Sequence, residues 1–177
     1  MDSTFMEKIV RARKDSKDHL IMAGAVFGYL LLLILSFMFI PAVLPVVLIA
    51  GGYGAWWLIS STNKEYEYIV TDNYVDIDCI VAQRKRSRVF SGNAKEFEIC
   101  ARVNSDHFRE YSKGNRKVLN FAPEDNPAAN YFFVTKNNAK KAKTRGEIFM
   151  VIFEPDDKMI PSLKKYNPSK IKIDGNY

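Results

Sequence analysis

The chain has 177 residues, 47% hydrophobic and 26% charged, with 26 Lys and Arg against 20 Asp and Glu for a formal net charge of +6. Such averages fit an ordinary soluble domain, yet Leu20 to Asn63 is a run of 44 positions without a single Lys, Arg, Asp or Glu. All the charges fall in the other 133 positions, which excludes a simple soluble enzyme and wholesale disorder and predicts a membrane segment joined to a small polar domain.

Residues 1–19 read as a basic N-terminal segment, with Lys8, Arg11, Arg13, Lys14 and Lys17 ahead of the apolar run. A bilayer core takes about 20 apolar residues of helix. Leu20–Ile40 supplies 21 and Ala42–Ser61 supplies 20. Pro41 and Pro45 stop one helix and open the next, so the turn at 41–45 predicts a tight hairpin of two spans rather than one kinked span. A signal peptide is a poor fit, because its apolar core is only about 7–15 residues. The positive-inside rule places the basic N-terminus in the cytoplasm and the uncharged turn outside, and two crossings return the chain to the cytoplasm at Lys64. Trp56 and Trp57 sit one turn before that exit, at the depth aromatic rings favour.

Small residues punctuate both spans. Gly24 and Gly28 form a G-x-x-x-G in the first, and Gly51, Gly54 and Ala55 lie in the second. They predict close helix packing, either of the two spans on each other or of Gly24 and Gly28 on a second molecule. No ionisable residue falls inside the spans, which argues against a channel or pump.

Residues 64–177 hold 21 Lys and Arg and 16 Asp and Glu, and are long enough for one domain core. Their pattern is mostly two-residue alternation, the mark of half-buried strands. Tyr66, Tyr68 and Val70 share a face; Thr71-Asp72-Asn73 is a turn; Val75, Ile77, Cys79 and Val81 share a face opposite Asp76 and Asp78. Lys95–Val103 predicts another strand, with Phe97, Ile99, Ala101 and Val103 inward and Cys100 outward. Strands are also predicted at Val118–Phe121, Tyr131–Thr135 and Glu147–Phe153, the last apolar on both faces and so covered on both sides. The predicted cover is a C-terminal helix over Asp156–Tyr166, with Met159, Ile160, Leu163 and Tyr166 on one stripe and Pro161 forcing a late start or a kink.

About six or seven antiparallel strands followed by one helix is an order similar to the pleckstrin-homology-like fold. Tyr68-Ile69-Val70-Thr71-Asp72-Asn73-Tyr74-Val75-Asp76-Ile77, followed by Arg84-Lys85-Arg86-Ser87-Arg88, resembles the opening hairpin of bacterial membrane-tethered domains of that fold. The whole chain resembles an uncharacterised bacterial family with a two-helix transmembrane hairpin and a cytoplasmic pleckstrin-homology-like domain. The resemblance implies a membrane helical hairpin followed by a mainly-β domain, and a binding role rather than a reaction. Phosphoinositide-binding members carry basic residues around the first strand–loop–strand, whereas Thr71–Tyr74 here has none and adds Asp72.

Chemistry-bearing residues are few. Cys79 and Cys100 predict two reduced thiols, and His19 and His107 lack the neighbours of a metal site or a nucleophilic triad. No catalytic residue, metal or cofactor is expected, and Asp76 and Asp78 read as a solvated strand face. The strongest functional signal is two basic clusters: Arg84, Lys85, Arg86 and Arg88, and Lys140, Lys141, Lys143 and Arg145. An anionic leaflet attracts such residues by about 1 kcal/mol each. The expectation is a multi-pass protein of the bacterial cell membrane, both termini cytoplasmic, binding anionic lipid or an unidentified protein partner. Nucleic acid is not an expected partner. The alternative is a structural subunit or assembly factor of a larger membrane complex.

Overall fold

The computed structural model describes residues 4–114, 116–123, 127–139 and 146–173. It divides into two compact units.

The smaller unit, Lys14–Lys64 with Val81–Lys85, contains two helices. Helix α1 is Ser16–Phe39 and helix α2 is Pro41–Ser60, both long and apolar enough to cross a membrane, and their apolar stretches are not buried within the protein. Asp15 caps α1: its side chain accepts from the Ser16 N–H at 2.8 Å, and Asp18 reciprocates by accepting from the Asp15 N–H at 3.1 Å. Pro41 opens α2 in a 3-10 turn, and Val47–Gly51 in its middle is π-helical. The two helices pack on each other.

The larger unit is built on two four-stranded sheets. The first has β1 (Phe5–Arg11), β2 (Lys64–Thr71), β3 (Tyr74–Val81) and β4 (Lys85–Asn93), in that order. The second has β5 (Ile99–Arg102), β6 (Lys117–Asn120), β7 (Tyr131–Lys136) and β8 (Ile148–Phe153), ordered β5-β7-β8-β6. Two short helices, α3 (Asp106–Ser112) and α4 (Met159–Lys164), complete it. The expected six or seven antiparallel strands are therefore eight among the described residues, and β6 runs parallel to β8.

The extra strand is β1, which pairs antiparallel with β2 from Phe5 opposite Thr71 to Arg11 opposite Glu65. Met6 and Val10 turn into the core and Lys8 donates to Glu154 at 2.8 Å, so the predicted basic flank is in part a strand of the domain. The apolar run is thus a long insertion between two paired strands.

The main core lies between the inner faces of the sheets. Tyr68, Val70, Val75, Ile77 and Phe90 meet Phe133, Phe149, Val151 and Phe153, with Met159, Ile160 and Leu163 of α4 packed against them. Phe97 and Phe133 stack at 4.5 Å between centroids. The other face of the second sheet, with Ile99, Ala101, Phe132, Val134 and Met150, is covered by Phe108 and Tyr111 of α3. Two-sided burial of β8 holds as predicted, but the second cover is α3 rather than the C-terminal helix. That helix starts at Met159, leaving Pro161 within its first turn, where a proline is tolerated.

Two-sided burial also overturns the predicted outward orientation of Cys100. Cys100 is fully buried in the main core, while Ile99 and Ala101 face α3. The 3-10 turn Ala94–Glu96 precedes a break in alternation, so Phe97 and Ile99 end on opposite faces. Cys79 is half-buried.

Candidate membrane-surface site

The four basic residues at the start of β4 do not form one free cluster. Arg86 places its guanidinium against the Glu67 carboxylate, with Asp78 3.7 Å away. Arg88 bonds Asp76 at 2.6 Å and Asp78 at 2.8 Å. Glu67 and Asp78 are nearly buried beneath these side chains. The Asp78 hydrogen bond is the main cause that raises the Arg88 guanidinium above its ordinary value, with Asp76 adding to it against the cost of burial. Asp76 and Asp78, expected to be a solvated strand face, are two of the three carboxylates of an ion-pair network in which Arg88 meets Asp78 with bidentate geometry.

Arg84 and Lys85 stand differently. The β3–β4 turn puts Ala82 at φ 52° and Gln83 at φ 56°, closed by the Arg84 N–H donating to the Val81 carbonyl at 3.0 Å. Both central residues lie in the left-handed region that Asn and Gly favour in such turns. The Ala82 N–H donates to the Asn63 carbonyl at 2.7 Å, and the Arg84 guanidinium lies 5.3 Å from the centre of the Trp56 ring. Lys64 at the exit from α2 bonds Asp18 at the start of α1 at 2.9 Å. The turn, the end of α2 and the start of α1 are thereby tied together within one unit. Lys14 and Lys17 are exposed beside them, as are Arg84 and Lys85. Lys140, Lys141, Lys143 and Arg145 lie outside the described residues.

The small residues divide as well. A Cβ on Gly51 would stand 3.1 Å from the Tyr29 ring, and one on Gly52 3.3 Å from the Tyr29 hydroxyl. That hydroxyl donates to the Leu48 carbonyl at 3.1 Å, in the π-helical stretch where regular helix bonding is disturbed. Gly51 is therefore where the helices close on each other. Gly24, Gly28 and Gly54 would carry a Cβ with nothing within 4 Å, and Ala55 is half-buried.

Sequence reasoning missed the carboxylates that claim Arg86 and Arg88; the signal was present, since Glu67, Asp76 and Asp78 alternate on the faces opposite the core. The first strand–loop–strand, where phosphoinositide binders place basic residues, is engaged internally. Asp72, at φ 52°, accepts from the Thr4 N–H at 3.1 Å and donates its own N–H to the Thr4 carbonyl at 3.0 Å. His107 lies on α3 beside Asp106, whose carboxylate pairs with Arg109 at 3.1 Å. Cys100 has its thiol pushed up to about 12 by burial. Among the described residues, no three His, Cys, Asp or Glu side chains converge as metal ligands.

No curated protein and no solved structure matches the chain. A family does: the chain belongs to the family described as Bacterial PH-like domain (DUF6106), which matches residues 1–173.

Proposed function

We propose that the protein is an integral, multi-pass protein of the bacterial cell membrane whose PH-like domain works as a non-catalytic binding module at the cytoplasmic surface, contacting anionic lipid or a protein partner. The observation that carries this reading is the pairing of β1 with β2 around two exposed apolar helices. A chain cannot hydrogen-bond residues 5–11 to residues 65–71 through a bilayer, so the excursion between them crosses an even number of times. Two helices of spanning length meet that requirement. The basic flank ahead of α1 then favours the cytoplasm for the domain.

The test is the labelling of single introduced cysteines in intact spheroplasts by an impermeant maleimide, in a Cys79→Ser background that keeps only the fully buried Cys100. Ala42→Cys is expected to label from outside, while Lys14→Cys and Lys158→Cys label only after lysis. Labelling of Lys14→Cys in intact spheroplasts, or protection of Ala42→Cys there, overturns the reading.

One observation favours a second reading, a subunit or assembly factor of a larger membrane complex. Gly24 and Gly28 are left open by the hairpin's own packing, as a helix–helix contact with another chain requires. Crosslinking through Gly24→Cys to a partner chain in native membranes supports that reading, and uniform absence of a product counts against it.

A further inference from the structure

Resting on the membrane-embedded hairpin proposed above, we infer that the junction of the β3–β4 turn with the ends of the two helices is a headgroup site for anionic phospholipid, with Arg84 and Lys85 as its selective residues. The site differs from the first loop of the domain, which is acidic and bonded to its own N-terminal strand. It also differs from the wider basic cluster, because Arg86 and Arg88 are held by three carboxylates.

Four observations converge. The turn adopts a backbone unfavourable for Ala82 and Gln83, and backbone held in sparsely populated regions clusters at functional sites. The Ala82 N–H bond to Asn63 fixes that turn to the exit of α2. Arg84 is thereby laid on Trp56, an exposed ring of the kind that seats at headgroup depth. Lys64 is neutralised by Asp18, so Lys14, Lys17, Arg84 and Lys85 remain as exposed cations around the junction, against Asp15, which caps α1. An arginine held over an aromatic ring keeps N–H groups for a phosphate, with less freedom to lose on binding.

The two tryptophans of the chain are Trp56 and Trp57, so intrinsic tryptophan emission reports from this junction alone. The full chain is reconstituted in phosphatidylcholine bilayers containing, at equal mole fraction, either brominated phosphatidylcholine or brominated phosphatidylglycerol. Quenching by the brominated anionic lipid is expected to exceed that by the neutral one by about threefold, given that each basic residue near the surface contributes several-fold in local lipid. High salt should shrink the difference, because the cations are exposed. The double variant Arg84→Gln, Lys85→Gln should bring the ratio close to one, while Ser87→Ala leaves it unchanged. Equal quenching by the two lipids overturns the headgroup site but leaves the membrane hairpin standing. A selectivity that survives in the double variant overturns the assignment to Arg84 and Lys85. Absence of quenching by either lipid overturns the hairpin and the headgroup site together.

Discussion

Replacing Arg88 by Ala tests whether this arginine belongs to the domain or to the membrane surface. Its guanidinium bonds Asp76 at 2.6 Å and Asp78 at 2.8 Å, and the Asp78 side chain is only 7% exposed. Removing a charged partner costs about 0.2–1 kcal/mol for an exposed pair and about 3–5 kcal/mol for a buried one. Arg88 is 41% exposed over a nearly buried carboxylate, which places the loss between these limits, at about 2 kcal/mol. For a domain of this size that corresponds to roughly 6–12 °C in melting temperature. Lys85→Ala, three positions earlier on the same strand and exposed, should stay within about 0.5 kcal/mol of the parent. Arg88→Lys keeps the charge but not the two-pronged geometry, and should fall between.

The assay is thermal unfolding of the full chain in detergent, followed by a fluorogenic maleimide. Cys100 is fully buried and becomes reactive only when the core opens. Cys79 is replaced by Ser throughout to lower the background. If Arg88→Ala melts with the parent and instead weakens anionic-lipid selectivity, the guanidinium faces the leaflet and the ion-pair account is wrong. The same conclusion holds if Lys85→Ala loses as much stability as Arg88→Ala.

Three further outcomes follow from the core. Gly92→Ala puts a methyl 2.9 Å from the Phe90 ring and 3.1 Å from Thr135 Cγ2, and is expected to lower stability by about 1–3 kcal/mol in the same melt. Tyr68→Phe removes a buried hydroxyl that donates to the Phe121 carbonyl at 2.8 Å, with an expected loss of about 1–3 kcal/mol in urea denaturation and an unchanged fold by circular dichroism. The Cys100 thiol, pushed up to about 12 when folded, titrates at about 8.5 when the chain is unfolded. Its contribution is therefore fully present below about pH 8.5 and is lost as the pH rises toward the folded value. The urea midpoint of the parent should fall more steeply from pH 8 to pH 10.5 than that of Cys100→Ala, and parallel slopes would refute the assignment.

Much of the domain was legible because its strands alternate. Tyr66, Tyr68 and Val70 on β2 and Val75 and Ile77 on β3 turn to the core as their spacing predicts. Alternation fails where a sheet is buried on both faces, since an inward side chain then exists at every position. That is why Cys100, between Ile99 and Ala101, was assigned to solvent and lies in the core. Helix α3 was overlooked because it is seven residues long and only Phe108 and Tyr111 mark its apolar side. The candidate site was half legible. Basic composition alone does not distinguish Arg84, which lies on Trp56, from Arg88, which lies on two aspartates. The distinction depends on which carboxylates neighbouring strands bring opposite, and that is set by register, to which a one-residue slip is decisive.

Strand β1 was invisible for a different reason, and its consequences reach furthest. Phe5–Arg11 has Met6 and Val10 four apart for the core, a pattern too sparse to outweigh Lys8 and Arg11, which suit a membrane flank equally well. Its partner is about sixty residues away, beyond any local signal. Once paired, it changes what the apolar hairpin is. A helical pair attached by one end is a tether; here both ends of the apolar segment lead into strands that are hydrogen-bonded to each other. The first sheet is then complete only after α1 and α2 have been made, since β2 has no outer neighbour until residues 5–11 return to it. A fragment beginning at Lys64 lacks that strand, the Val10 and Met6 side chains in the core, and the Lys8 bond to Glu154. Binding measured on such a fragment reports a domain with an open sheet edge, a surface prone to pairing with other chains. Binding and stability therefore have to be measured on the full chain, in which the strand that closes the first sheet and the first apolar helix are joined by one short stretch of backbone.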